Sequence, residues 1–293
     1  MERSIVIATF IAIAFFGTVR FACADSINEK NTKISDKESG DHNKTTTVNP
    51  VEKNNLTIDI GLGYSHQTDG NKTKFNTFTL DLITMYSVTK DLDVFLGLPF
   101  VYARRTDTQS STQSKADIGD LNFGSYYQLI KEDDYYISAR PFLIVKSNSG
   151  SSPYKATGSQ VVSGDGHWSI EGGSDFSKTF NKISVFSQVS YTYFFDQTVN
   201  NQRNEHADVF YYHVGASYQL NKNLSVSLRL EDSFLGDSKI DGVVTEDSRS
   251  PINLTAYLEY NLSSKMTFTP LATFGLNKVA DDFSFSVTYG YKF

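Results

Sequence analysis

The last stretch of the chain, residues 283–293, alternates between two kinds of side chain. Aromatic residues and one valine occupy the odd positions, and Ser, Thr, Gly or Lys occupy the even ones. Successive side chains of a β-strand point to opposite faces, so one face of this strand is apolar and the other is small or polar. Strands of this kind bury the apolar face in a β-sandwich core or turn it towards lipid in a membrane-spanning β-barrel.

The same alternation recurs from Leu56 onward, in about twelve segments close to the roughly 9–11 residues that a tilted strand needs to cross a bilayer. Short turns alternate with longer polar links, the latter being residues 106–116, 147–166, 198–205 and 236–250. A sandwich requires neither this alternation nor an even strand number. The pattern predicts an all-β fold, a closed antiparallel transmembrane β-barrel of about 12 strands with short periplasmic turns and longer outer loops. Closure requires the first strand to pair with the last.

The N-terminus has the pattern of a cleaved secretory signal peptide, predicted over residues 1–24. Arg3 precedes an apolar run over 5–16, and Ala22-Cys23-Ala24 offers a small-x-small cleavage site. The run is too short for a transmembrane anchor. A lipoprotein acylated at Cys23 is disfavoured because Arg20 stands where that motif usually has Leu. Cleavage after Ala24 removes the chain's single cysteine, which excludes disulfides and Cys-ligated metals from the mature protein.

Residues 25–54 are polar and nearly free of large apolar side chains, so we predict a flexible periplasmic leader. A plug or a partner-binding peptide is the alternative. Residues 55–293 form the predicted barrel. The chain has 17 Tyr, 22 Phe and one Trp, as expected for aromatic girdles at the two membrane interfaces. The net charge of −6 gives no sign of a nucleic-acid partner.

The predicted register turns almost all charged strand residues towards the lumen, where they avoid the cost of facing lipid. The inward set is Asp59, Asp81, Asp93, Asp120, Glu171, Asp175, Glu231, Glu259, Arg140, Lys146, Arg229, Lys292 and His213. Two hypotheses remain open: ion pairs that fill a narrow barrel, and a polar pore with an acidic bias. The candidates for lining a solute path are Asp59, Asp81, Asp120, Arg140, His213, Arg229 and Glu231. Asp120 is expected to pair with Arg140 on the next strand.

A stretch on the first strand, residues 64–70, contains a His two positions before a Thr. It resembles the His-x-Ser-Asn-Gly stretch of outer-membrane phospholipase A, a twelve-stranded barrel in which a His activates a Ser nucleophile. His66 matches, but Thr68 stands in the Ser place and Asp69 in the Asn place. A polar strand end leading into a tight Asp-Gly turn explains the same residues. We therefore predict no catalytic residues, no metal, no cofactor and no enzyme.

Residues 117–129, with Gly119, Asp120 and Gly124 at fixed positions, carry a family resemblance. They resemble the Gly-Asp-Leu-x-x-Gly-x-x-Tyr-x-Leu stretch of the outer-membrane transporter family labelled meta-pathway phenol degradation proteins. Leu98-Pro99-Phe100 upstream is similar to that family's Leu-Pro-Tyr strand, whereas Ser125 replaces a residue that is often larger or charged there. The resemblance implies a channel for small, often hydrophobic or aromatic compounds.

The final residues Tyr289, Tyr291 and Phe293 resemble the C-terminal insertion signal of bacterial outer-membrane barrels. That resemblance implies that the Gram-negative barrel-assembly machinery and outer-membrane lipid are partners. The function predicted from the sequence is passive transport of a small-molecule solute across the outer membrane. A structural or surface-interaction barrel with a closed lumen is the alternative, and a phospholipase-like enzyme is the third hypothesis.

Overall fold

The computed structural model describes residues 55–68, 73–106, 112–152 and 161–293. The predicted signal peptide and leader lie outside these residues. Within the described ranges no helix is long and apolar enough to cross a membrane. The described strands are β1 Leu56–Thr68, β2 Lys74–Ser87, β3 Leu92–Thr106, β4 Thr112–Ile118, β5 Asn122–Tyr127, β6 Ser138–Lys146, β7 Ser169–Phe180, β8 Ile183–Phe194, β9 Gln197–Val199, β10 Gln202–Glu205, β11 Val209–Asn221, β12 Leu224–Leu235, β13 Ser238–Ile240, β14 Val243–Glu246, β15 Ile252–Ser263, β16 Met266–Gly275 and β17 Phe283–Lys292.

The sheet closes on itself where β1 pairs with β17. The antiparallel register runs from Thr57 opposite Lys292 to His66 opposite Phe283. The ring continues through β2, β3, β5, β6, β7, β8, β11, β12, β15 and β16. With β4 and β5 counted as two halves of the fourth strand, the barrel has 12 strands, all antiparallel to their neighbours. The prediction of a closed barrel with short turns at one end and longer connections at the other is confirmed.

The two-residue period sorts apolar from charged side chains, as β12 illustrates. Leu228 and Leu230 are 55% and 46% exposed on the outer surface, whereas Arg229 between them is only 1% exposed. Hydrocarbon can accept the leucines but provides no partner for a guanidinium, so the register is fixed by the side chains on both faces. The outer surface is therefore a lipid-facing band, and the lumen is filled mostly by polar side chains.

The fourth strand is interrupted between β4 and β5, at residues 119–121. β3 bonds with both halves, but β6 pairs only with β5. In the described sheet β4 is the terminal strand and bonds to β3 alone. The Gly119 N–H donates to the Pro99 carbonyl at 2.8 Å, so the hydrogen bonding between β3 and β4 continues up to the break.

Two of the longer outer connections contain a second sheet that the sequence pattern did not predict. Its order is β14-β13-β10-β9. β10 lies in the connection after β8 and pairs with β13 in the connection after β12, with Asn204 opposite Ile240. These links are predicted only as polar loops because their strands of three or four residues are too short to show a period.

Candidate functional site: the barrel lumen

A segment after β6 folds into the lumen at the outer end of the barrel. Its described residues are 147–152 and 161–168, and we call it the inward-folded segment. Val161 packs in a buried cluster with Phe75, Val101 and Ala103, which are inward-facing residues of β2 and β3. Val161 and Val162 are apolar, so their transfer from water to this wall lowers the free energy of the folded state. The upper lumen is therefore partly filled by the chain itself.

Asp120 anchors this segment at the break in the fourth strand. Its carboxylate accepts hydrogen bonds from the backbone N–H of Gly150 at 2.7 Å and of Asp165 at 2.8 Å. Lys146, at the end of β6, forms an ion pair with the Asp165 side chain. Its ammonium also lies 5.0 Å from the centroid of the Phe194 ring. A buried carboxylate of this kind needs donors, and here the backbone supplies two of them.

The expected pairing of Asp120 with Arg140 is wrong. In the register of β5 and β6, Lys146 is opposite Asn122, which lies next to the break that contains Asp120. Arg140 is near the other end of β6, about 20 Å from Lys146 at 3.3 Å per residue. Arg140 instead sits 3.7 Å from Asp93, and its guanidinium is 4.2 Å from the centroid of the Tyr126 ring. Adjacent strands bring two side chains together only when their register also matches.

Two histidines that appear isolated in the sequence meet at the end of the inward-folded segment, to which His167 belongs. The rings of His167 and His206 are 5.5 Å apart, and His206 stacks on Phe194 at 4.1 Å. His167 Nδ1 donates to the Phe195 carbonyl at 2.8 Å. Both residues lie in connections, outside the spanning strands. Burial lowers the pKa of His206 to about 3 and lowers that of His167 below its ordinary value, so both imidazoles are neutral.

A buried charge network occupies the opposite wall, on β11, β12 and β15. Arg229 Nε and Nη2 donate to the same Glu231 oxygen at 3.0 and 2.9 Å. Tyr211 donates to the other Glu231 oxygen at 3.0 Å and lies 3.2 Å from His213 Nδ1. Thr255 also donates to Glu231. These contacts bring three of the predicted lumen residues, His213, Arg229 and Glu231, into one hydrogen-bonded group.

Part of the lumen wall is apolar, which the sequence analysis missed. A buried cluster on β2, β3, β5 and β6 contains Ile83, Met85, Phe95, Tyr126, Phe142 and Ile144. Tyr126 lies 5.6 Å from Phe95 and 5.5 Å from Phe142 between ring centroids. A Cβ on the motif residue Gly124 would come within 2.8 Å of the Phe95 ring. The sequence did contain a signal for this cluster, because each of its residues occupies an inward-facing position of the two-residue strand period, as Asp81 does.

All seven predicted lining residues are at most 7% exposed. Asp59 and Asp81 lie on the neighbouring strands β1 and β2, and Asp81 is opposite Gly61, two residues along β1 from Asp59. Gly290 makes room for Asp59, since a Cβ there would lie 2.5 Å from its carboxylate. Asp81 Oδ1 is buried and has no hydrogen-bond partner among the residues that the structure describes. The set therefore divides into a carboxylate pair, the Asp120 anchor, Arg140 near the periplasmic end and the Arg229 network.

His66 and Thr68 lie on the outer surface rather than in the lumen, and Asp69 lies outside the described residues. His66 is hydrogen-bonded to Asn76 and Thr68. At the other end, the Phe293 N–H donates to Leu56 O at 2.9 Å, and the Phe293 and Tyr291 rings are 4.7 Å apart. Within the described residues there is no cluster of three or more His, Cys, Asp or Glu residues that could hold a metal.

Two solved structures are similar to this chain over most of its length. The COG4313 outer membrane channel from Pseudomonas putida F1 has a TM-score of 0.71 and 15% identity, covering 88% of this chain and 100% of that one. The translocator domain of the autotransporter NalP from Neisseria meningitidis has a TM-score of 0.54 and 11% identity, covering 98% and 100%. At these identities the likeness shows the fold.

A family profile described as "Putative MetA-pathway of phenol degradation" matches residues 92–293, more than half of the chain. The chain belongs to that family.

Proposed function

We propose that the protein is a passive outer-membrane channel for small solutes, including hydrophobic or aromatic ones. The observation that carries this proposal is the two-sided lumen of a closed barrel. One wall presents the Arg229–Glu231 network, and the other presents the cluster around Phe95, Tyr126 and Phe142. A solute that is partly apolar and partly polar meets partners for both parts along such a path. Passive movement through the lumen requires no catalytic step.

The aromatic wall supports the choice of solute class. Tyr126 has ring neighbours at 5.5–5.6 Å and carries the Arg140 guanidinium over its face at 4.2 Å. Ring pairs and a cation over a ring are the contacts by which proteins bind aromatic ligands. Both features lie in the periplasmic half of the barrel, below the inward-folded segment. An aromatic solute that passes the segment would meet this wall next.

Delivery to the membrane follows from the sequence features at the two ends. We propose that the signal peptide over 1–24 directs export and is cleaved, and that Tyr289, Tyr291 and Phe293 present the last strand to the barrel-assembly machinery. The apolar outer surface of the barrel supports the proposal that outer-membrane lipid surrounds it. Cleavage is checked by the N-terminal sequence of the protein isolated from outer membranes.

Conductance tests the channel proposal directly. The refolded full-length barrel is inserted into a planar bilayer, and uptake of phenol, toluene and glucose is measured in liposomes. We expect discrete conductance steps and faster uptake of the aromatic compounds than of glucose. A folded barrel with neither conductance nor uptake would overturn the proposal. Phe95→Ala, which removes one ring of the apolar wall, should reduce aromatic uptake more than ion conductance.

The second candidate is a closed barrel whose outer connections bind a partner. It is favoured by the buried position of Val161, Val162 and His167 in the upper lumen and by the four-stranded outer sheet. In that case wild type and Phe95→Ala would both be silent in the bilayer. Replacing the connections that contain β9, β10, β13 and β14 by short turns would then abolish the surface interaction without changing conductance.

A further inference from the structure

Polar side chains face outward at the outer ends of β1 and β2, where the pattern elsewhere on these strands is apolar. Tyr64, His66 and Thr68 continue the lipid-facing series of Ile60 and Leu62 on β1. In the register His66 is opposite Asn76, and Thr68 is opposite Lys74. These residues therefore share one outward face near the membrane boundary, on the far side of the barrel wall from the lumen.

Three of these side chains form a hydrogen-bonded chain. His66 Nδ1 lies 3.0 Å from Asn76 Oδ1, and His66 Nε2 lies 3.3 Å from Thr68 Oγ1. The amide oxygen of Asn76 can only accept, so Nδ1 carries the proton and donates it. Nε2 is then the unprotonated nitrogen and accepts the Thr68 hydroxyl. In a neutral imidazole, the Asn76 contact thus selects the tautomer that a general base requires.

Asn76 is itself held in place. Tyr64 donates to the same Asn76 oxygen at 2.8 Å, and the Tyr64 ring lies 4.9 Å from that of Phe78. The amide oxygen is thus fixed from two sides, which fixes the His66 ring in turn. A nucleophile, a base and a residue that orients the base, joined within hydrogen-bond distance, are the parts from which hydrolytic sites on unrelated folds are built.

We infer that Thr68, His66 and Asn76 form a catalytic site for hydrolysis of carboxylic esters that partition into the membrane interface. Thr68 Oγ1 would attack the ester carbonyl carbon as His66 Nε2 takes the hydroxyl proton. Collapse of the tetrahedral intermediate breaks the bond to the alkoxy oxygen, which leaves as the alcohol with that proton and leaves an acyl-Thr68. Water activated by His66 then releases the carboxylic acid and regenerates Thr68.

The surroundings suit such a substrate. Lys74 lies directly across from Thr68 on the same face, so its flexible side chain can reach the negative charge that develops on the carbonyl oxygen. The Tyr64 and Phe78 rings and Leu62 continue the face towards the bilayer and provide contacts for an acyl chain. The Thr68 N–H donates to Asp282 at 3.1 Å, which fixes the end of β1. The ester can be a phospholipid or a smaller apolar ester, since both present the same carbonyl.

The structure adds one residue to the sequence match at 64–70. In that match Asp69 stands in the Asn place. The fold supplies Asn76 from the neighbouring strand, ten residues away. The site lies outside the lumen, so it does not depend on whether the barrel conducts.

The test uses the full-length barrel refolded in detergent micelles, with p-nitrophenyl butyrate, p-nitrophenyl laurate and phosphatidylcholine vesicles as substrates. We expect His66→Ala and Thr68→Ala to lower the rate by about 10²-fold or more, and Asn76→Ala to lower it less. Thr68→Ser should keep activity. Thr84→Ala, a matched change on the lipid face of β2 opposite Ile58, should leave it unchanged. Hydrolysis of the phosphatidylcholine vesicles would identify a phospholipid as the ester. Hydrolysis of the nitrophenyl esters alone would identify a smaller apolar ester.

A second measurement separates catalysis from a structural role. A fluorophosphonate should label Thr68 in the wild type, seen by mass spectrometry of the peptide, and should not label the His66→Ala variant. Heat-modifiable migration in gels shows that each variant is folded. The inference fails if the folded wild type hydrolyses all substrates no faster than His66→Ala, or if Thr68→Ala retains the wild-type rate. Conductance should be the same in all these variants, whether or not the barrel is a channel.

Discussion

Asp120 accepts a hydrogen bond of 2.8 Å from the backbone N–H of Asp165, a residue 45 positions later in the chain. Its other oxygen accepts from the Gly150 N–H at 2.7 Å. These bonds fasten both described parts of the inward-folded segment to the interruption in the fourth strand. The aspartate of the family motif thus controls whether this segment stays in the upper lumen.

Asp120→Ala should release the segment. The variant loses two hydrogen bonds to a charged group, each contributing about 1.5–3 kcal/mol, so the free energy of unfolding should fall. If the barrel conducts, the single-channel conductance should rise because the upper lumen becomes wider. Asp134→Ala, which removes an exposed carboxylate in the link between β5 and β6, is the control and should change neither quantity. Equal conductance in Asp120→Ala and wild type would show that the segment does not limit passage.

Gly124→Ala should destabilise the barrel through overpacking. A Cβ at this position would lie 2.5 Å from the Leu143 carbonyl oxygen and 2.8 Å from Phe95 Cε1, and neither group can move freely. We expect a loss of about 1–3 kcal/mol. Gly172→Ala on β7 is the matched control, because nothing lies within 4 Å of its added Cβ. The fluorescence of the single tryptophan, Trp168, can follow unfolding in denaturant. Equal midpoints for the two variants would contradict this account.

Alternation was enough to predict the closed barrel and the face on which each strand residue lies, as Leu228, Arg229 and Leu230 show. It could not predict the height of a side chain in the barrel, and therefore paired Asp120 with Arg140. A period of two distinguishes the faces, but register depends on turns and neighbouring strands. The contacts of His167 with His206, and of His66 with Asn76, join separate strands or connections. The sequence pattern contains no signal for such pairs.

Glu231→Gln should be strongly destabilising, because a neutral amide replaces the carboxylate that accepts two hydrogen bonds from the buried Arg229 guanidinium. Breaking one side of a buried ion pair costs about 3–5 kcal/mol. The double variant Arg229→Met/Glu231→Leu removes both charges and should recover most of that loss. Asp196→Asn, which breaks the exposed pair with Arg203 at 2.5 Å, is the control and should cost less than about 1 kcal/mol. The unfolding temperature in detergent measures the stability of all three variants. A Glu231→Gln barrel as stable as Asp196→Asn would contradict this account.

His206 should make the barrel less stable in acid. Burial, together with the neighbouring His167, Lys146 and Arg249, lowers its pKa to about 3, although the hydrogen bond to the Ala207 carbonyl raises it. In the unfolded chain its pKa is about 6.5, so between these values the unfolded state binds more protons. The stabilisation from the neutral imidazole is therefore complete above pH of about 6.5 and is lost progressively as the pH falls towards 3.

His206→Phe should remove this part of the pH dependence while keeping the stack on Phe194. We expect the unfolding temperature of the wild type to fall more steeply than that of His206→Phe between about pH 7 and pH 4. Above about pH 7 His206 is neutral in the folded and the unfolded state, so the difference in unfolding temperature between the two proteins should not change with pH. Parallel profiles through the acid range would show that His206 is accessible to protons in the folded barrel. A remaining slope in His206→Phe is expected from His167, whose pKa is also lowered by burial.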